Sequence, residues 1–164
     1  LMKHNPDYVT LLVGGNDACA WAENHANQLS QFEQTIDQAV KKLIKHNGNI
    51  KILMVPVPDM LHLWKLGQND CGWIWDLFGV CSNLLSSGNS DEDRRHFKDR
   101  LDDLNKSLKS VSEKHPLHTY FDESLAEYKF RKEDVSSKDC FHPSIEGQKK
   151  ISEMTWHENW VTET

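Results

Sequence analysis

The stretch Tyr8-Val9-Thr10-Leu11-Leu12-Val13-Gly14-Gly15-Asn16-Asp17 decides the fold. Its first six residues are apolar or β-branched, which describes a strand buried on both faces in a parallel sheet. Asn5-Pro6-Asp7 is the turn that launches it. The run stops on two glycines, which let the backbone turn sharply at the strand's C-terminal end. Ligands gather at that end in open α/β sheets. Downstream, Leu29, Phe32, Ile36, Val40, Leu43 and Ile44 recur at helical spacing, with Ser30 and Glu33 placed for a capping box and Asn47-Gly48 for the stop. Ile50 to Val57 reads as a second buried strand. Strand, helix and strand in succession make a βαβ unit, so the fold class is α/β with a parallel sheet between helical layers.

The segment from Pro58 to Asn89 lacks sustained periodicity and is rich in Trp, Gly and Cys. It is expected to be an excursion that serves a site, with Trp64, Trp73, Trp75 and Phe78 lining a cleft or packing the loop onto the body. Ser90-Asp91-Glu92-Asp93 caps a long helix whose buried stripe is Phe97, Leu101, Leu104, Leu108 and Val111. His118 to Phe121 is a short strand candidate, and a polar stretch runs on to Lys138. A last helix follows from Ser144, with Ile145, Ile151 and Met154-Thr155 inward. Residues 1–164 read as one domain without repeats.

A net charge of −6 argues against a nucleic-acid binder, which shows a basic face. No apolar run reaches the ~18 residues that cross a bilayer, so no transmembrane segment is expected. The four cysteines permit two disulfides in three connectivities, and a paired set places the protein in an oxidising compartment. With no Cys-x-x-Cys pair and the nine histidines scattered, no metal site and no cofactor is expected.

The second decisive stretch is Asp139-Cys140-Phe141-His142-Pro143-Ser144. An Asp three residues before a His can orient the imidazole, which is what a general base needs. A strand ending in Gly-x-Asn-Asp together with Asp-x-x-His-Pro before the last helix resembles the GDSL, or SGNH, hydrolase family from Pro6 to about Trp156. The resemblance implies a three-layer, flavodoxin-like α/β/α sheet and an ester hydrolase. By it Asn16 is the side-chain donor of the oxyanion hole, His142 the general base and Asp139 its orienting carboxylate. Gly14 and Gly15 keep side chains away from the acyl carbon, and Asp17 braces the turn. Cys19 is similar to a cysteine of both the secreted phospholipase B-like and acyloxyacyl hydrolase-like branches, and Cys140 to one of the phospholipase B-like branch. With the aromatic loop this implies a lipid ester substrate, an acetyl ester on sugar staying open, and an extracytoplasmic location. If the two motifs converge, Cys19–Cys140 ties their loops together and Cys71–Cys81 closes the excursion of residues 58–89.

One departure from the family is large. Its nucleophile is a Ser in a Gly-Asp-Ser block after the first strand, and no Gly-Asp-Ser occurs here. Ser82, Ser86, Ser87, Ser136 and Ser137 follow no buried strand on a sharp turn. The expectation is a sheet incomplete at its N-terminal strands, with the Ser supplied by a preceding segment or a second polypeptide. The rival reading is a catalytically inactive relative that binds a lipid or glycan. A nucleotide-binding turn at Val13-Gly14-Gly15-Asn16 fails, because no third glycine follows at the required spacing. Gly67-Gln68-Asn69-Asp70 also fits Gly-x-Asn-Asp, but it has no buried strand to aim it and is assigned to structure in a loop. Asn105-Lys106-Ser107 fits the glycosylation pattern on a helix.

Overall fold

The computed structural model describes residues 5–20 and 25–156. Strands β1 (Tyr8–Leu12), β2 (Lys51–Val55) and β3 (Thr119–Phe121) form a parallel sheet in the order β1-β2-β3. After β1 come the short α1 (Gly15–Ala20) and the long α2 (Ala26–His46); after β2 come α3 (Met60–Phe78), α4 (Ser82–Leu85) and α5 (Asp91–Glu113). Beyond β3 lie α6 (Ser124–Glu127), a 3-10 turn at Lys132–Asp134, and α7 (Ile145–Thr155). The α/β class with a parallel sheet is therefore as expected.

Ile52, Leu53, Met54 and Val55 are all at 0 % exposure, so β2 is the central strand. Ile52 and Met54 join the core built by α2, α3 and α5, while Leu53 and Val55 pack with Leu125 of α6 and with Ile151 and Met154 of α7. These are the three layers. Among the described residues β1 is an edge, with Val9 buried but Thr10 and Leu12 exposed. The stripe read on α5 is buried throughout, and each such side chain stabilises the fold by roughly 1.5–3 kcal/mol. Ser90 caps α5 as read: its hydroxyl accepts the Asp93 N–H at 3.2 Å, and the Asp93 carboxylate accepts the Ser90 N–H at 2.7 Å. Asn105 on the same helix is not a free sequon. Its side chain accepts the Val57 N–H and donates to the Val57 carbonyl, both at 2.9 Å, and so fixes the chain just past β2.

Four expectations need correction. The segment 58–89 is not aperiodic: it is α3 followed by α4. Its buried positions are Met60, Gly67, Cys71 and Trp75, and a glycine and a cysteine on the inner face hide the stripe from an apolar scan. The Gly67-Gln68-Asn69-Asp70 stretch lies within this helix, and Asp70 pairs with Lys132. Helix α2 starts at Ala26; Ser30 sits a turn inside it, bonded to Gln34 at 3.3 Å, and Glu33 reaches Lys114 at 2.6 Å. Ile145 is 88 % exposed, because at 100° per residue it lies about 120° around α7 from Ile151.

The fourth correction is the disulfides, which are Cys19–Cys81 and Cys71–Cys140. The excursion is not closed on itself. Helical phase puts Cys71 on the same face as Trp75, toward the loop of Cys140, while Gly79 ends α3 with a left-handed φ of 63° before the chain reaches Cys81. Cys81 then meets Cys19 of α1. With sequence separations of 62 and 69, each closure is worth about 4 kcal/mol in the chain-entropy model.

Two measurements check this helix. Non-reducing peptide mapping is expected to recover Cys19–Cys81 and Cys71–Cys140. A Cβ at Gly67 would sit 2.6 Å from the Trp75 ring, whereas one at Gly72 meets nothing within 4 Å. Urea titration should find Gly67→Ala destabilised by about 1–2 kcal/mol despite its better helix propensity. Gly72→Ala should be stabilised by about 0.5–1 kcal/mol; equal effects at the two sites would contradict the packing.

Candidate active site

The chain leaves β1 through Gly14, whose φ of 108° suits only glycine. A Cβ there would also meet the Leu104 side chain at 2.7 Å and the Phe32 ring at 3.3 Å. Gly15 is less constrained, since a Cβ would find only Val57 at 3.8 Å. The Ala18 N–H donates to the Gly14 carbonyl at 2.9 Å and starts α1, so Asn16 stands exposed on its first turn. Among the described residues the Asn16 amide makes no hydrogen bond and is free to donate. Asp17, expected to brace the turn, is exposed, and among the described residues its side chain accepts no hydrogen bond from it.

On the loop before α7, Asp139 uses both carboxylate oxygens. Oδ1 accepts the backbone N–H groups of Phe141 at 2.9 Å and His142 at 3.0 Å, and Oδ2 lies 3.0 Å from His142 Nδ1. With Nδ1 held, Nε2 is the nitrogen left to exchange a proton. Cys140 between them has φ 55°, unusual for a residue with a side chain. It is fixed by the bridge to Cys71 and by Trp75 Nε1, which donates to its carbonyl at 3.2 Å.

The base of this loop is closed by Ser136 and Ser144 together with Asp134 and Gly147, the last two not singled out by the sequence. The Ser144 N–H donates to the Asp134 carbonyl at 2.8 Å, and the Ser136 N–H to the His142 carbonyl at 2.8 Å. The Ser144 hydroxyl donates to the Glu133 carbonyl at 2.7 Å and accepts the Gly147 N–H at 3.1 Å, capping α7. Asp134 is fully buried, and its Oδ2 accepts the Arg131 N–H at 2.8 Å and the Tyr128 hydroxyl at 3.2 Å. A side chain at Gly147 would strike the Asp134 carbonyl at 2.1 Å. The legible signals were the spacing Arg131-x-x-Asp134 and Ser144-x-x-Gly147, both patterns of a capped turn.

These elements meet at a cavity of about 490 Å³. Gly14, Gly15, Asn16 and His142 all line it, and Asp139 stands behind His142. The walls are otherwise largely apolar, from Leu12, Val57, Met60, Leu63, Phe130 and Phe141. Asp59 also faces the cavity but is committed, capping α3 through the His62 N–H and pairing with Lys129 at 2.7 Å. No serine lines the cavity among the described residues. The arrangement offers a donor, a proton acceptor and an apolar seat.

Burial works to raise the Asp139 pKa, but the Phe141 N–H, the His142 ring and the His142 N–H outweigh it and hold the carboxyl below its ordinary value. The carboxylate's contribution to stability is therefore complete above the unfolded value of about 3.9 and is lost as pH falls through the lower folded value. Urea midpoints of the native chain and Asp139→Asn should differ at pH 6 and converge below pH 4. A gap that stays constant across that range would contradict the assigned hydrogen bonds.

Comparison with curated proteins and with solved structures gave no match. The family model for the GDSL-like lipase/acylhydrolase family matches residues 1–150, which is most of the chain. That span contains both the Asn16 turn and the Asp139–His142 loop. The chain belongs to the GDSL-like lipase/acylhydrolase family.

Proposed function

We propose that the chain forms most of the active site of a serine ester hydrolase in which Asn16, His142 and Asp139 act on a Ser carried outside residues 1–164. The observation that carries this reading is the free Asn16 amide and the Asp139-held imidazole on one cavity. In the reaction the Ser Oγ attacks the ester carbonyl carbon while His142 Nε2 takes its proton. The oxygen that becomes negative is held by the Asn16 amide and by backbone N–H groups. His142 then gives the proton to the leaving alcohol, and water, activated by the same imidazole, releases the acid and restores the Ser. Asp139 keeps the proton on Nδ1 throughout.

The nucleophile would arrive on a strand added to the outer edge of β1. In support, β1 pairs only with β2 among the described residues, and an open apolar edge is a liability that proteins cover. The apolar walls favour a lipid ester. The likeness to the phospholipase B-like branch rests on Cys19 and Cys140 alone, and these pair with Cys81 and Cys71 rather than with each other. Two disulfides favour a secreted or lumenal location, where they persist.

The test is fluorophosphonate labelling of the protein isolated with whatever polypeptide precedes or accompanies it. A labelled Ser outside residues 1–164, lost in His142→Ala, is the expected result. In the same material Asn16→Ala should lower kcat by about 10²–10³-fold with little change in KM. Absence of labelling with the fold intact would leave a binding module in place of the enzyme.

A further inference from the structure

Helix α3 carries an apolar face that the fold does not use. Trp73 is 66 % exposed, Leu77 67 % and Phe78 71 %. At 100° per residue, Leu63, Leu66, Trp73 and Leu77 fall within an arc of about 80°. Leu63 lines the cavity, so the stripe starts at the cavity and runs about 21 Å along the helix. Asp70, the charged residue in that arc, is paired with Lys132. Asp76, around the helix, is held by the Ser87 N–H at 3.0 Å. An exposed apolar stripe of this kind marks an interaction surface.

We propose that this face of α3 is the surface by which the protein lies on a zwitterionic lipid–water interface, with the cavity opening beside the lipid. The proposal rests on the ester-hydrolase reading for its purpose, and names the physical state of the substrate. Two features select this occupant. The stripe reaches the cavity wall at Leu63, and the charge that interrupts it, Asp70, is neutralised by Lys132. The net charge of −6 gives an anionic surface no net attraction for the chain. Trp and Phe suit the headgroup boundary, and a surface helix with one apolar face lies in the plane. Among the described residues no helix is long and apolar enough to cross a membrane, so α3 lies on the bilayer rather than through it.

The full chain is sedimented with phosphatidylcholine vesicles, alongside a triple variant Trp73→Gln, Leu77→Gln, Phe78→Gln whose fold is checked by circular dichroism and thermal melting. The native chain is expected to partition at least tenfold more strongly than the variant, undiminished at high salt. Partition should weaken when anionic lipid is added. A native chain that stays in the supernatant, or a variant that binds equally, would overturn the proposal. So would a native dimer, dissolved by the triple substitution, that ignores vesicles; a second copy would then be the occupant. Hydrolysis of a monomeric short-chain ester separates the two readings. Assayed on the protein isolated together with the polypeptide that carries the Ser, vesicle binding without any such hydrolysis sinks the hydrolase and keeps the surface, and hydrolysis without vesicle binding does the reverse.

Discussion

The hold of α3 on Cys140 is the constraint on which the site depends. A left-handed backbone at a residue with a side chain costs about 1–2 kcal/mol, so Cys140 would relax if it were free. It cannot, because its side chain is bonded to Cys71 and its carbonyl accepts from Trp75. That one turn folds the loop back so tightly that Asp139 Oδ1 receives two consecutive N–H groups while Oδ2 holds His142. An imidazole that is 71 % exposed would otherwise sample several rotamers in water. Here its orientation is fixed through the backbone, and the strain is the means.

A second constraint sits on α5 and concerns the other half of the cavity. Leu104 packs so close to Gly14 that no side chain fits there, and its neighbour Asn105 clasps the backbone of Val57. Adjacent residues of one buried helix therefore set the C-terminal ends of both β1 and β2. The donor turn and the cavity floor move together if they move at all. Sequence periodicity saw Leu104 as core and Asn105 as a sequon, whereas packing makes the pair a positioning device.

What the sequence made legible follows from which forces are local. β2 is written in consecutive β-branched and apolar residues because both of its faces are covered, and α5 in a strict stripe with a capping box because it is amphipathic on its own. The turns at Asn16 and His142 were readable because each is compressed into a few neighbours, and both stand on one cavity. α3 was not readable, since two of its inner positions are Gly67 and Cys71. Gly67 is there because the Trp75 ring lies over it, a fact about tertiary packing that no window of sequence contains. The disulfide pairing failed for the same reason: without the helix, Cys71 and Cys81 look like neighbours in one loop. With it, they are more than two turns apart and serve different partners.

The exposure of His142 and the bare edge of β1 are best understood together. In a parallel sheet every strand delivers its C-terminal residues to the same rim. Gly14 to Asn16 leave β1 at that rim, and His142 lines the same cavity. A strand laid parallel on the outer edge of β1 would end beside Gly14, at the cavity that Asn16 and His142 line. A residue carried on the β3 side would have to pass β2 to reach the same point, since β3 lies beyond β2 in the sheet. On the proposed reading, the edge of β1 is the position from which an added strand would bring a nucleophile to the cavity of Asn16 and His142. The same added strand would cover Leu12, which is 42 % exposed at the cavity wall. Covering it would remove water from the space between Asn16 and His142, where hydrogen bonds to a developing oxyanion gain most of their strength.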